Sequence, residues 1–318
     1  MRINSGWGSG LVAMMAGATA MACSVTYGEA PAADVAPQEE APAAPPPEPD
    51  AKPVPDTEVG AGELAPVSTC DAAKPFGSPH RLGGLDGSAR FSSDELRAYT
   101  SNGLTFGVAR RRSVADAFAA LEPFGFPVQL HATDAPTASG DERTLVFTDY
   151  SSHRLLLATR DDAGEAFLPA LVLDGGINAP AWGQIDPYLV ADGSALYFHR
   201  YPLTSETFEG DIFVAARKQD GFADAVPVEG INTFAEELSP VVTPDGLTIF
   251  WASDRTDLYG KGMLDIYVAT RTSKDAAFTN VRNVAELNAD GDERPTWISP
   301  DACRLYFLKD DAVLVASR

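Results

Sequence analysis

Three carboxylates stand just ahead of apolar, strand-forming runs: Asp186 in IDPYLV, Glu237 in EELSPVV and Glu293 in DERPTWI. Carboxylates converging at the centre of a radial β fold could act as general acid and base in glycoside hydrolysis, where their separation fixes the stereochemical course. Their recurrence at one place in a repeating pattern argues for a shared structural task instead, such as accepting hydrogen bonds from backbone or arginine. A second acidic set, Asp94, Asp141, Asp192, Asp245 and Asp301, falls in short turns (SDE, GDE, ADG, PDG, PDA). An aspartate in such a turn bonds nearby backbone N–H groups, and Pro or Gly beside it sets the dihedral angles. These five are therefore read as turn formers.

Other chemistry is thinly represented. No G-x-S-x-G, H-E-x-x-H, C-x-x-C or P-loop occurs, and His80, His131, His153 and His199 lie in unrelated contexts. Asp254, Asp257 and Asp265 in the loop SDRTDLYGKGMLD lack the spacing of a calcium-binding EF-hand. That Gly-rich stretch reads as a mobile surface loop able to touch a partner. Arginines end several strands, at Arg160, Arg217, Arg271 and Arg318. They could ring an anion, although pairing with turn acids or facing water is the simpler reading. No catalytic residue, metal ligand or cofactor is expected.

The elements that hold these residues repeat. The turn aspartates are 47, 51, 53 and 56 residues apart, longer than helical solenoid repeats and close to the length of a propeller blade. Each turn precedes a strand (LRAYTS, RTLVFTD, SALYFHR, LTIFWAS, CRLYFLK) and then a second strand with a basic end (TFGVARR, RLLLATR, DIFVAAR, DIYVATR, VLVASR). Their alternating β-branched and aromatic residues are a strand signature. Tyr99, Phe147, Phe198, Phe250 and Phe307 are aligned as one core position. A phenylalanine opens an outer segment at Phe118, Phe167, Phe222 and Phe278, so each repeat supplies four strands.

These features predict an all-β, five-bladed β-propeller of four-stranded antiparallel blades. The fifth repeat reaches Arg318 after its third strand, and FGSPHRLGGLD from Phe76 matches the missing fourth. An N-terminal strand completing the last blade would close the ring and remove exposed edges. It would also bring Cys70 and Cys303 into one blade, where they are expected to form a disulfide.

The repeats SPVVTPDGLTIFWASDR with DIYVATR, RPTWISPDACRLYF, and IDPYLVADGSALYFHR with DIFVAAR resemble the WD40-like propeller repeats of TolB-type bacterial envelope proteins. The resemblance covers residues 70–318 and implies the fold. Propellers host many unrelated activities, so it does not imply a function.

Ahead of the repeats, residues 1–23 read as a lipoprotein signal peptide, with Arg2 before the apolar run LVAMMAGATAMA, which is too short to span a bilayer. Ala20-Met21-Ala22-Cys23 resembles a bacterial lipobox, implying acylation of Cys23, and Ser24 after it implies the outer membrane. Ordinary cleavage after Ala22 is the alternative. Residues 24–69, rich in Pro, Ala and acids, cannot build a core and read as an extended, disordered tether. The chain carries a net charge of −21, and residues 70–318 remain strongly acidic without the tether. With 24 Lys and Arg against 45 Asp and Glu, too few cations remain to displace counterions, and nucleic acid is excluded. The expected function is a monomeric, non-catalytic binding or scaffolding module for an envelope protein or glycan, touching the membrane through its lipid alone. The alternative is a glycosidase-like propeller using channel carboxylates.

Overall fold

The computed structural model describes residues 70–101, 106–124, 136–174, 176–204 and 210–318. Cys23, the leader, the tether and His131 lie outside them. Contacts divide the chain into residues 1–63 and 64–318, and everything below concerns the second unit.

Among the described residues there is no helix; every regular element is a strand. The first is β1 (His80–Asp86). Blade one follows as β2 (Ala89–Phe91), β3 (Arg97–Ser101), β4 (Phe106–Arg110) and β5 (Glu122–Pro123). Blade two is β6 (Thr137–Ala138), β7 (Thr144–Asp149), β8 (Arg154–Thr159) and β9 (Leu171–Val172). Blade three comprises β10 (Trp182–Leu189), β11 (Ala195–Pro202) and β12 (Asp211–Lys218), then β13 (Gly221–Phe222) and β14 (Val226–Pro227). Blade four is β15 (Glu237–Val242), β16 (Thr248–Ser253), β17 (Asp265–Thr270) and β18 (Thr279–Asn283). Blade five is β19 (Glu293–Ile298), β20 (Arg304–Lys309) and β21 (Ala312–Ser317), completed by β1.

All pairings within the blades are antiparallel, and the first strands β2, β6, β10, β15 and β19 touch one another in a closed ring. This is a five-bladed propeller. In blade three the fourth strand comes in two pieces that both pair along β12, because the chain turns at Gly221 (φ 133°) to lay Phe222 under Arg217. Closure runs through β1 on β21, with His80 opposite Val315 and Arg81 opposite Leu314, and Gly77 N–H donates to Ser317 O (2.7 Å). Cys70 and Cys303 form a disulfide across a Cα separation of 5.9 Å.

One local design explains the repeated residues. The turn carboxylate accepts the backbone N–H two residues on, as in Asp94 to Leu96 (3.0 Å), Asp245 to Leu247 (2.9 Å) and Asp301 to Cys303 (3.1 Å), and Asp141 and Asp192 do likewise. At Asp141 the Ser139 hydroxyl, with the Arg143 amide, outweighs burial and holds the acid below its ordinary value. The next residue is left-handed in every blade: Glu95, Glu142, Gly193, Gly246 and Ala302 have φ between 58° and 72°. Its carbonyl accepts the arginine Nε at Arg111, Arg160, Arg271 and Arg318 (2.7–2.9 Å). Each of these guanidiniums lies over a phenylalanine, as does Arg217: Phe118, Phe167, Phe222, Phe278 and Phe76 sit 4.3–4.9 Å away. Arg160, Arg271 and Arg318 thus bind turn carbonyls and rings and Arg217 a ring, while Arg160 also pairs with the turn acid Glu142 (3.9 Å), as sequence suggested. A guanidinium has donors for the carbonyl and a flat face for the ring, so one side chain fastens the turn to the outer strand.

The aromatic alignment also changes. Counted from the turn aspartates, Tyr99, Val146, Tyr197, Phe250 and Tyr306 are equivalent, and Thr100, Phe147, Phe198, Trp251 and Phe307 form the adjacent set. Side chains alternate across a strand, so the two sets face opposite ways. The first meets the following blade: Tyr99 donates to Glu142, Tyr306 to Glu95, and Phe250 packs edge-on against Phe76. Phe147 packs against Phe106 of the preceding blade. Aligning by aromatic type alone merged two surfaces.

Candidate functional site

The strand directions give the ring two faces. The turn face carries the aspartate turns. The loop face carries the starts of the first strands and the ends of the second, with Trp182 opposite Pro202 in blade three. The connections on the loop face are fastened by asparagine side chains that imitate a neighbouring strand. Asn178, Asn232 and Asn288 each accept the N–H and donate to the carbonyl of one third-strand residue, Leu155, Ile212 and Ile266 (2.8–3.0 Å).

At the turn face the centre of the ring is walled by all five first strands, including Arg90, Thr137, Tyr188, Val242 and Trp297. Arg90 donates to Thr296 O (2.8 Å), and its guanidinium lies 5.2 Å from the centre of the Tyr188 ring. Both side chains are buried, and burial drives the Tyr188 phenol far above its ordinary value.

The three acids proposed for chemistry do not share one position. Counted back from the turn aspartates, Glu237 and Glu293 align with Gln184, whereas Asp186 aligns with Ser239 and Pro295. A β-bulge follows in each of these strands at the same count from the turn. Glu237 accepts Thr233 N–H (2.8 Å), Thr233 Oγ1 (2.7 Å), Ser253 Oγ (3.1 Å) and Arg255 Nη2 (2.9 Å). Burial raises its pKa against these donors. Glu293 accepts Ala289 N–H (3.1 Å) and faces Lys309 Nζ (2.8 Å). Both acids are fully buried and tie the preceding loop to the second strand of their own blade. Asp186 instead joins two blades: Ser239 Oγ donates to its carboxylate (2.9 Å), and both residues have φ of 52°.

His199 on β11 is wholly buried with neither ring nitrogen hydrogen-bonded. Burial lowers its pKa to about 4 from 6.5, with Asp186 pulling weakly the other way. The fold therefore favours neutral imidazole while the unfolded chain takes a proton below 6.5. Stability should fall as pH drops through 6.5 and level off below about 4, a loss of about 3 kcal/mol. His199→Phe should abolish this loss. Urea unfolding of both proteins across that range checks it, and a pH-independent difference between them would refute the buried neutral state. His153, by contrast, accepts or donates at Tyr201 Oη (2.6 Å) across blades two and three, and His80 lies in β1.

What the loop face presents to solvent was not read from the sequence. Phe234 and Tyr259 are almost fully exposed, Met263 is 74% exposed, and Trp182, Leu203 and Leu258 are about 40% exposed. Trp182 opens β10, and the others lie on the connections of blades three and four. The stretch Ser253–Asp265 is not loosely held: the buried Asp265 carboxylate accepts Lys261 N–H (2.5 Å) and Gly262 N–H (3.3 Å). Lys261 Nζ donates to Ala285 O (2.8 Å) and Asn288 O (3.1 Å), and Met263 N–H to Gly291 O (3.2 Å). Leu258 and Tyr259 adopt φ of 56° and 64°, backbone conformations rare for such residues. Asp254 Oδ1 accepts Glu236 N–H (2.9 Å), fixing this loop against the one that carries Phe234. Large apolar side chains are thus exposed on loops that hydrogen bonds fix to the blades.

Among the described residues, no cluster of His, Cys, Asp and Glu has metal-binding geometry. No protein-family model matches the sequence. No curated protein matches it. Solved structures that align with the chain include TolB from Acinetobacter baumannii, at 13% identity and a TM-score of 0.43 over 73% of this chain and 54% of that one. A gluconolactonase from Xanthomonas campestris aligns at 12% identity and 0.44 over 75% and 87%. A β-1,2-mannobiose phosphorylase from Listeria innocua aligns at 14% and 0.45 over 67% and 65%. The chain thus spans about half the length of the TolB structure.

Proposed function

We propose that this propeller is a non-catalytic binding module of the bacterial cell envelope, anchored by lipid at Cys23 and engaging its partner through the loop face of blades three and four. The observation that carries the reading is the set of exposed apolar side chains, led by Phe234, Tyr259 and Met263, on loops pinned by buried Asp265 and by Lys261. Large exposed apolar side chains on a rigid frame favour association, since little conformational entropy is lost on contact. The three acids read from sequence as candidates for hydrolysis, Asp186, Glu237 and Glu293, all make internal contacts. The Cys70–Cys303 disulfide suits an oxidising extracytoplasmic compartment.

A photoreactive amino acid at Tyr259 or Phe234 in the full chain, expressed in its native envelope, should cross-link a discrete species. The same group at Lys274, an exposed residue at the turn face that pairs with Asp192 (3.3 Å), should not. Equal labelling from both faces, or none from Tyr259 and Phe234, would refute the assignment.

A further inference from the structure

We infer that the loop face of blades three and four takes a cationic protein segment bearing apolar side chains, an inference that rests on the binding role proposed above. The apolar contacts stand among carboxylates: Glu236, Asp254 and Asp257 flank Phe234 and Tyr259, and Asp290 and Asp292 border the strip that receives Met263. Asp254, Asp257 and Asp290 are exposed.

The cations nearby are fewer: Arg294, beside Asp292, has a buried Nε without a hydrogen-bond partner, and three others make internal contacts. Arg255 is buried and bonded to Glu237 (2.9 Å) and Ile231 O (2.7 Å). Lys261 is held by two carbonyls at 2.8 and 3.1 Å, and Lys309 faces Glu293 at 2.8 Å. Lys261 keeps its charge, but five carboxylates outnumber it, and a net negative field around exposed apolar groups attracts segments of opposite charge and speeds their encounter, while the apolar contacts slow their release. An anionic segment would meet repulsion here, and a purely polar cationic one would leave Phe234, Tyr259 and Met263 uncovered. Backbone bonds hold both loops in place before any partner arrives.

Three labelled synthetic peptides of one length test this on the purified full chain: one alternating Lys with Leu, one Glu with Leu, and one Lys with Ser. The Lys/Leu peptide should bind at least about tenfold more tightly than either other peptide, and more weakly as salt rises. Tyr259→Ala and Asp257→Asn should each weaken it by about tenfold. Asp275→Asn, which removes an exposed acid near the turn face, should leave it unchanged. Equal binding of the three peptides, or equal effects of Asp257→Asn and Asp275→Asn, would overturn the inference. If Tyr259 still cross-links a species in the envelope while the Lys/Leu peptide fails to bind, the partner class is wrong and the loop-face reading survives. Loss of the Tyr259 cross-link as well would remove both.

Discussion

Replacing Cys70 and Cys303 together by alanine should lower the stability of the oxidised propeller by about 5 kcal/mol. The bond joins residues 233 apart, and closing so long a loop in advance removes much of the freedom of the unfolded chain. Its position should also make the loss visible in one place. Cys70 precedes β1, the strand that closes blade five, so without the bond β1 is held by β21, by the Phe118 N–H donating to Gly83 O (3.0 Å) and by the packing of Phe76, Leu82 and Leu85. Amide hydrogen exchange should therefore accelerate first across His80–Asp86 in the variant, before the central blades open. Denaturant unfolding gives the total effect. Unchanged protection of β1 with a stability loss below about 1 kcal/mol would show that the bond does not hold the closure.

Glu95→Ala should cost about 3 to 4 kcal/mol, by an unrelated mechanism. Glu95 occupies the left-handed turn position that blades three and four fill with glycine, and its carboxylate reaches into blade five. There it accepts Arg304 Nε (2.8 and 3.0 Å) and the Tyr306 hydroxyl, with the acid and the tyrosine both buried. Glu142 does the same for Arg97 (2.9 and 3.1 Å) and Tyr99 across blades one and two. Truncating the acid leaves a buried phenol and a half-buried guanidinium without their acceptor. The mechanism is separable by a double-mutant cycle: Tyr306→Phe should cost less in the Glu95→Ala protein than in the wild type. Strict additivity would mean the two groups act independently. Because alanine also tolerates φ of about 60° poorly, Glu95→Gly distinguishes lost pairing from backbone strain.

How much of this was readable from sequence depended on the range of the interaction. The blade count and closing strand were legible because each turn, strand and basic end lies within a few residues of its partners and recurs. The Arg–Phe stacks were visible only as two separate recurrences, although four of the five pairs lie within seven residues; Arg318 alone finds its ring far along the chain, at Phe76. The blade-to-blade role of Glu95 was hidden because SDE and GDE read as imperfect copies of PDG, although the departure from glycine is what makes the contact. The offset of Asp186 against Glu237 is countable from the turn aspartates, since both strands share the bulge, but the apolar runs of IDPYLV and EELSPVV align without it. The candidate binding surface was legible only as the loop SDRTDLYGKGMLD, without its side chains or its pinning. Phe234, Tyr259 and Met263 look like any apolar residues in a variable loop until the hydrogen bonds of Asp265 and Lys261 show that they are held outward.

The disulfide has a mechanical consequence as well. A pull arriving along the chain ahead of Cys70 enters the fold at a covalent bond to Cys303, between β19 and β20, and bypasses β1. The hydrogen bonds that close the ring therefore carry none of the tension. With the bond reduced, the same force would fall first on Gly77 N–H to Ser317 O and then on successive β1–β21 bonds, peeling the closing strand one rung at a time. In the oxidised protein the propeller can be tugged from its N-terminal side without being unzipped.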